Sequence, residues 1–190
     1  AAAGRAAIAA SHVVWGAYAL HDTVRLGRPD LVTADLAALV PDAGPLVELF
    51  SRHADAAAQT EPVALAKVAA EFEDLGAWAA AVDARAAESR ALTPSNEVAA
   101  SRVALRAHEL HRRCPSYRSP GLAGVERPLT DRPLEVARLA AAGLSTRQIS
   151  ERLYISTRTV DNHLRQVYAT LGIAGREELT DAIPARPEPA

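Results

Sequence analysis

The chain has 190 residues and a formal net charge of −2, with 23 Asp and Glu against 21 Lys and Arg. That balance excludes a free-standing, strongly basic nucleic-acid-binding domain. Apolar residues make up 49% but aromatics only 4%, so small side chains supply much of the core, as in closely packed alanine-rich helices. A single cysteine, Cys114, excludes an internal disulfide and a multi-cysteine zinc site, and it points to a reducing, cytoplasmic compartment.

The longest uncharged stretch lies between Arg5 and Asp22. It is shorter than the roughly 20 residues that a membrane-spanning helix needs, so a buried helix is expected there and no membrane partner. The chain begins with alanine and contains no methionine, so it is read as the carboxy-terminal piece of a longer protein. Residues 1–114 lack the alternation of strands and read as helices punctuated by Pro and Gly. The breaks fall at Gly27 and Pro29, at Pro41, Gly44 and Pro45, at Thr60 to Pro62, at Gly76, and at Thr93 to Pro94. Helix pairs with Ala and Leu at their contacts predict antiparallel hairpins in a tetratricopeptide-like stack, although no clean repeat signature is present.

Toward the end of that region, His108, His111 and Cys114 have the spacing of a small metal site. The structural reading is favoured, because no fourth ligand is visible and Arg112 and Arg113 would repel a cation. Arg102, Arg106, Arg112, Arg113 and Arg118 outnumber Glu97 and Glu109 here, which predicts a basic face that is solvated or touches DNA or an acidic partner. Residues 115–128 have the Pro, Ser and Gly content of a linker that lets two domains reorient. No metal and no cofactor is expected. The absence of paired carboxylates, a nucleophile elbow or a phosphate-binding glycine loop argues against an enzyme.

Ser145 to Gly172 carries the functional signal. Ser145 and Gln148 form a capping box that opens one short helix, and Ser156 offers the N-cap of a second. Only a few residues separate the two, which is helix-turn-helix spacing. On the second helix, Val160, Leu164, Val167 and Leu171 form one apolar stripe, and Arg158, Asp161, Asn162 and Arg165 lie on the opposite face. That polar face is either an ordinary solvated surface or a major-groove reader, since Arg pairs with guanine and Asn with adenine. Four arginines against Glu151 and Asp161 leave this segment only weakly positive, so two copies on paired half-sites are the expected binding unit.

From Leu129 onward the sequence resembles the DNA-binding domain of the LuxR family of bacterial transcriptional regulators. The resemblance is carried by Leu129, Thr130, Arg132, Glu135, Val136, Gly143 and Ser145, then by Ile149, Leu153, Ile155, Ser156, Thr159, Val160 and His163, and finally by Leu171, Gly172, Arg176 and Glu178. It implies an all-α chain whose last part, residues 129–188, is a four-helix domain, with the third helix reading DNA and the fourth often making a dimer contact. The base-reading surface it implies is Asp161, Asn162 and Arg165. The implied phosphate contacts are Thr146, Arg147, Ser156, Arg158 and Thr159. Val68 to Ala86 resembles the helical segment that precedes this domain in large ATP-dependent LuxR-type regulators related to the maltose regulator, though this chain has no phosphate loop of its own.

Two departures from the family matter. Pro133 stands where Glu is usual, so Thr130 loses its capping partner and finds no N–H at that position. Asp161 stands where Lys is frequent; it either accepts from cytosine N4 or, the favoured reading, pairs with Arg165 or Arg158 along the helix. The leading function is a sequence-specific, DNA-binding transcriptional regulator acting on double-stranded DNA as a homodimer. A helical scaffold that binds a protein or small effector, with an inactive last domain, is the alternative.

Overall fold

A computed structural model describes residues 1–183; the expected end of the last domain at residue 188 lies outside them. Among the described residues every regular element is helical. The first seven helices are α1 (Ala2–Ala9), α2 (Val13–Arg25), α3 (Thr33–Ala43), α4 (Pro45–Gln59), α5 (Pro62–Asp74), α6 (Trp78–Leu92) and α7 (Glu97–His111). After an irregular connection come α8 (Asp131–Ala141), α9 (Thr146–Leu153), α10 (Thr157–Leu171) and α11 (Leu179–Ala182). Among the described residues no helix is long and apolar enough to cross a membrane.

Consecutive helices in the first part pack as hairpins, α1 on α2, α3 on α4 and α5 on α6, with α7 laid along α6. Their boundaries follow local chemistry. Pro45 and Pro62 occupy the first turns of α4 and α5, where the missing N–H costs nothing. The Asn96 side chain accepts from Ala99 N at 3.0 Å and caps α7. Two expectations are corrected. The stretch between Arg5 and Asp22 is a helical hairpin and not one helix, because the chain reverses at Ser11, a non-glycine residue with φ 64° that no Gly or Pro marks. Pro41 lies inside α3, near its end, and the break falls at Gly44 and Pro45 instead.

Small residues set how closely the hairpins approach. A Cβ on Gly16 would run into Ile8, and one on Gly4 into Leu20, so α1 and α2 meet backbone to side chain. Ala80, Ala81, Ala84 and Ala86 are buried on α6, and this lets α5 and α7 close on it from two sides. A first core gathers Leu20, Val24, Leu36, Phe50, Val68 and Phe72. His21 stacks on Phe50, with ring centroids 3.9 Å apart and planes 10° from parallel.

The second core is formed by α8 to α11 around Leu134, Ile149, Val160, Leu164, Val167 and Leu171. It also includes Leu105 of α7, which is fully buried, so the last helix of the stack contributes to both halves of the molecule. Residues 115–128, read from the sequence as a freely hinging linker, are tied down along their length. The carboxylate of Asp83 on α6 accepts from Tyr117 Oη at 2.5 Å, from the Ser119 hydroxyl and from Gly121 N at 3.1 Å. His111 Nε2 lies 2.7 Å from the Tyr117 carbonyl, and His108 Nε2 lies 3.1 Å from that of Val125. Proline, serine and glycine here shape a fixed strap, because a buried carboxylate collects the donors that they expose.

Candidate nucleic-acid interface

Both sequence-derived caps form. Ser145 Oγ accepts from Gln148 N at 3.3 Å while Ser145 N donates to Gln148 Oε1 at 2.8 Å, closing the capping box of α9. Ser156 Oγ accepts from Thr159 N at 3.1 Å and opens α10. Between them Tyr154 takes a left-handed conformation, φ 53°, and Ser150 Oγ donates to the Ile155 carbonyl at 2.7 Å. The turn is thereby fixed from inside. Thr130 at the start of α8 makes no capping bond, as expected where Pro133 offers no N–H.

The stripe Val160, Leu164, Val167 and Leu171 is buried. On the opposite side of α10, Arg158, Asp161, Asn162 and Arg165 are exposed together with Ser156, while Thr146 and Thr159 are half-buried and Arg147 is exposed on α9. Seven of the eight candidate residues thus lie at the N-cap or in the first two turns of α9 and α10, and Arg165 follows in the third turn of α10. Helix N-termini carry unpaired N–H groups and a positive dipole end, which suits an anionic backbone such as phosphodiester.

The side-chain pairing corrects one reading. Asp161 forms no ion pair with Arg158 or Arg165 among the described residues. Its Oδ1 accepts from Thr146 Oγ1 at 3.4 Å, a long bond that spans the two helices. Helical side chains lean toward the N-terminus, which carries Asp161 toward the start of α9. Arg165 Nη1 donates instead to Asn162 Oδ1 at 3.1 Å, so the two side chains suited to guanine and adenine hold each other in place. Arg147 Nε donates to Glu151 Oε1 at 2.9 Å on an open surface, where such a pair is worth a few tenths of a kcal/mol, on the order of 0.3.

Residues 127–183 match the family model described as bacterial regulatory proteins, luxR family. This part of the chain is a luxR-family helix-turn-helix domain. Over 62 residues the chain is 45% identical to a "Putative HTH-type transcriptional regulator" of Mycobacterium bovis and equally to one of Mycobacterium tuberculosis strain CDC 1551. It is 44% identical to a protein of the same description from Mycobacterium tuberculosis strain H37Rv. The matched segment is 33% of this chain and 7% of each relative. No solved structure gives a significant match.

Several residues that carried the luxR resemblance are internal clamps. Arg132 Nη2 donates to the Leu153 carbonyl at 2.8 Å and caps the end of α9. Arg176 reaches the Leu144 and Ala140 carbonyls at the end of α8. Glu178 Oε1 accepts from Ala174 N at 3.1 Å. Each satisfies backbone groups at or next to a helix end, so these positions act on the shape of the domain and not on the open face of α10.

Sequence reasoning missed how the helical stack holds this domain. Arg102 of α7 donates from Nε to the Leu171 carbonyl at 2.6 Å and from Nη2 to the Gly172 carbonyl at 3.0 Å, capping α10 with a cation at its negative end. Gly172, with φ 57°, lets Val98 approach so closely that a Cβ would collide with it. Arg138 Nη2 of α8 lies 2.5 Å from Glu109 Oε2 of α7, with Glu109 only 2% exposed. The two are paired by charge, although their angles fall outside hydrogen-bonding geometry. Three of the five arginines read as a basic face are used within the fold: besides Arg102, Arg106 pairs with Glu73, and Arg113 sits 4.4 Å over the Trp78 ring, while Arg112 and Arg118 are exposed. The only sequence cue to this role was an excess of Arg on a helix that also carries apolar Leu105.

Proposed function

We propose that the chain binds double-stranded DNA in a sequence-specific way as part of a transcriptional regulator, with α10 in the major groove. Asp161, Asn162 and Arg165 read bases, while Thr146, Arg147, Ser156, Arg158 and Thr159 position the phosphates. The observation that carries this reading is the open face of α10, where Arg165 and Asn162 are exposed and hydrogen-bonded to each other beside the capped N-termini of α9 and α10. An arginine and an asparagine so presented match guanine and adenine edges. The luxR-family match supports it. So do the names of the relatives, of whose length this chain matches only a small part.

Binding takes two copies on paired half-sites, because one domain with four arginines against two carboxylates between Ser145 and Gly172 offers few phosphate contacts. Residues 1–114 form a tetratricopeptide-like domain that receives an effector or protein partner, and the strap 115–128 joins it to the DNA-binding domain at 129–188. Fluorescence-anisotropy titration of the purified chain against a selected operator and against random duplex tests this. The reading predicts tighter binding to the operator and a strong loss with salt. Equal affinity for both duplexes would leave the alternative, a helical scaffold with an inactive last domain.

A further inference from the structure

A cavity of about 210 Å³ opens within the helical stack, between α2, α4, α5 and α6. Val24, Ala57, Leu65 and Ala87 give it apolar walls, and Thr60, His53 and Arg90 bring polar groups to it. His53 is 2% exposed, and its Nδ1 is hydrogen-bonded to His21 Nε2 at 2.9 Å. Its other ring nitrogen has no hydrogen-bond partner among the described residues.

The charged groups around the cavity differ in what they have left to offer. Asp83 is saturated by Arg25 Nε, Tyr117, Ser119 and Gly121, and Arg25 also pairs with Asp22. Arg90 has no carboxylate partner among the described residues. It donates a single hydrogen bond, to the carbonyl of Gly121 in the strap that leads to α8. A guanidinium presents a planar fork of donors that matches a carboxylate in two parallel bonds. Mostly apolar walls with a few fixed polar groups are the usual make-up of a small-molecule site.

We propose that this cavity binds a small monocarboxylate with an apolar body, held by Arg90 and His53, and that the strap senses its occupancy through the Arg90–Gly121 contact. The inference rests on the reading that the helical stack receives an effector. Occupancy draws Arg90 away from Gly121 while Asp83 keeps its grip on Tyr117 and Ser119, so the change is confined to the middle of the strap. Inorganic phosphate has the charge but not the apolar body, and it leaves the Val24 and Leu65 walls uncovered.

Isothermal titration of the full chain with benzoate, valerate and inorganic phosphate tests the site. Expected are saturable one-to-one binding of at least one carboxylate, phosphate binding about tenfold weaker or less, and a loss of about tenfold or more in Arg90→Gln. Ala87→Leu fills the cavity from the same helix, one turn before Arg90, without touching the guanidinium, and should abolish binding; circular dichroism confirms that each variant is folded. Bound carboxylate should also speed amide exchange at Leu122 and Ala123, next to Gly121. Absence of saturable binding by both carboxylates, equal binding of phosphate, or affinity unchanged in both folded variants would overturn the proposal. Titration of the ligand-free chain with DNA separates the two readings. DNA binding without carboxylate binding removes only this site, and carboxylate binding without DNA binding removes only the regulator.

Discussion

Arg165 and Asn162 hold each other on the open face of α10 at 3.1 Å, so each loses an orienting partner when the other is truncated. Arg165→Ala and Asn162→Ala should each lower discrimination between operator and random duplex by about 1 to 3 kcal/mol, with the double variant falling short of the sum, as titrations of all three proteins would show. Arg147 on α9 is different, since the role proposed for it is contact with phosphate and not with a base. Arg147→Ala should weaken all duplexes alike and flatten the salt dependence by roughly 0.9 log units, and an unchanged salt slope would count against the phosphate role. His53 carries a pH prediction. Burial holds its pKa down, from 6.5 to about 4, and His21 is likewise held well below its ordinary value by burial and by neighbouring His53. The unfolded chain therefore takes up these protons first. Stability is complete above pH 6.5 and falls as pH drops toward 4, by roughly 3 kcal/mol for His53 alone. Urea unfolding at pH 7 and pH 5 should show the loss, and His53→Gln should reduce its slope.

At the scale of the element, α10 is held at both ends, by Ser156 at its start and by Arg102 at its close. Removing the second clamp leaves two carbonyls without their charged donor. Arg102→Ala should cost about 1.5 to 3 kcal/mol in chemical denaturation, while Arg102→Lys recovers part of it because the helix dipole still meets a cation. The start of α10 was legible in the sequence and its close was not. A cap such as Ser145 with Gln148 is written within four residues, and the stripe from Val160 to Leu171 repeats at helical spacing, so both are visible in a linear string. Arg102 acts on Leu171 across the fold, as Arg132 acts on Leu153, and no local pattern announces such a pair. The break at Ser11 was hidden for another reason: a serine in left-handed conformation has no compositional signature, whereas the breaks at Gly76 and Pro62 do.

Across the whole molecule, α7 ties the helical stack to the luxR-type domain. Leu105 enters the second core, and Glu109 meets Arg138 in a buried pair. Breaking such a pair by removing one partner strands the other charge and costs about 3 to 5 kcal/mol. Glu109→Ala should therefore destabilise the whole chain, and the paired change Glu109→Leu with Arg138→Met should recover most of the loss in thermal melts. The strap from 115 to 128 was read as a hinge because its composition is that of a linker; composition does not reveal that Asp83, more than 30 residues earlier in the chain, gathers its donors. The same Asp83 and neighbouring Arg90 border the cavity and both hold the strap that leads to α8. The central claim remains that α10 reads DNA in paired copies. Selection of bound sequences from random duplex DNA with the purified chain tests it most directly. The account predicts an enriched inverted repeat whose half-sites lose their preference in Arg165→Ala, and recovery of no motif, or of the same motif with that variant, would contradict it.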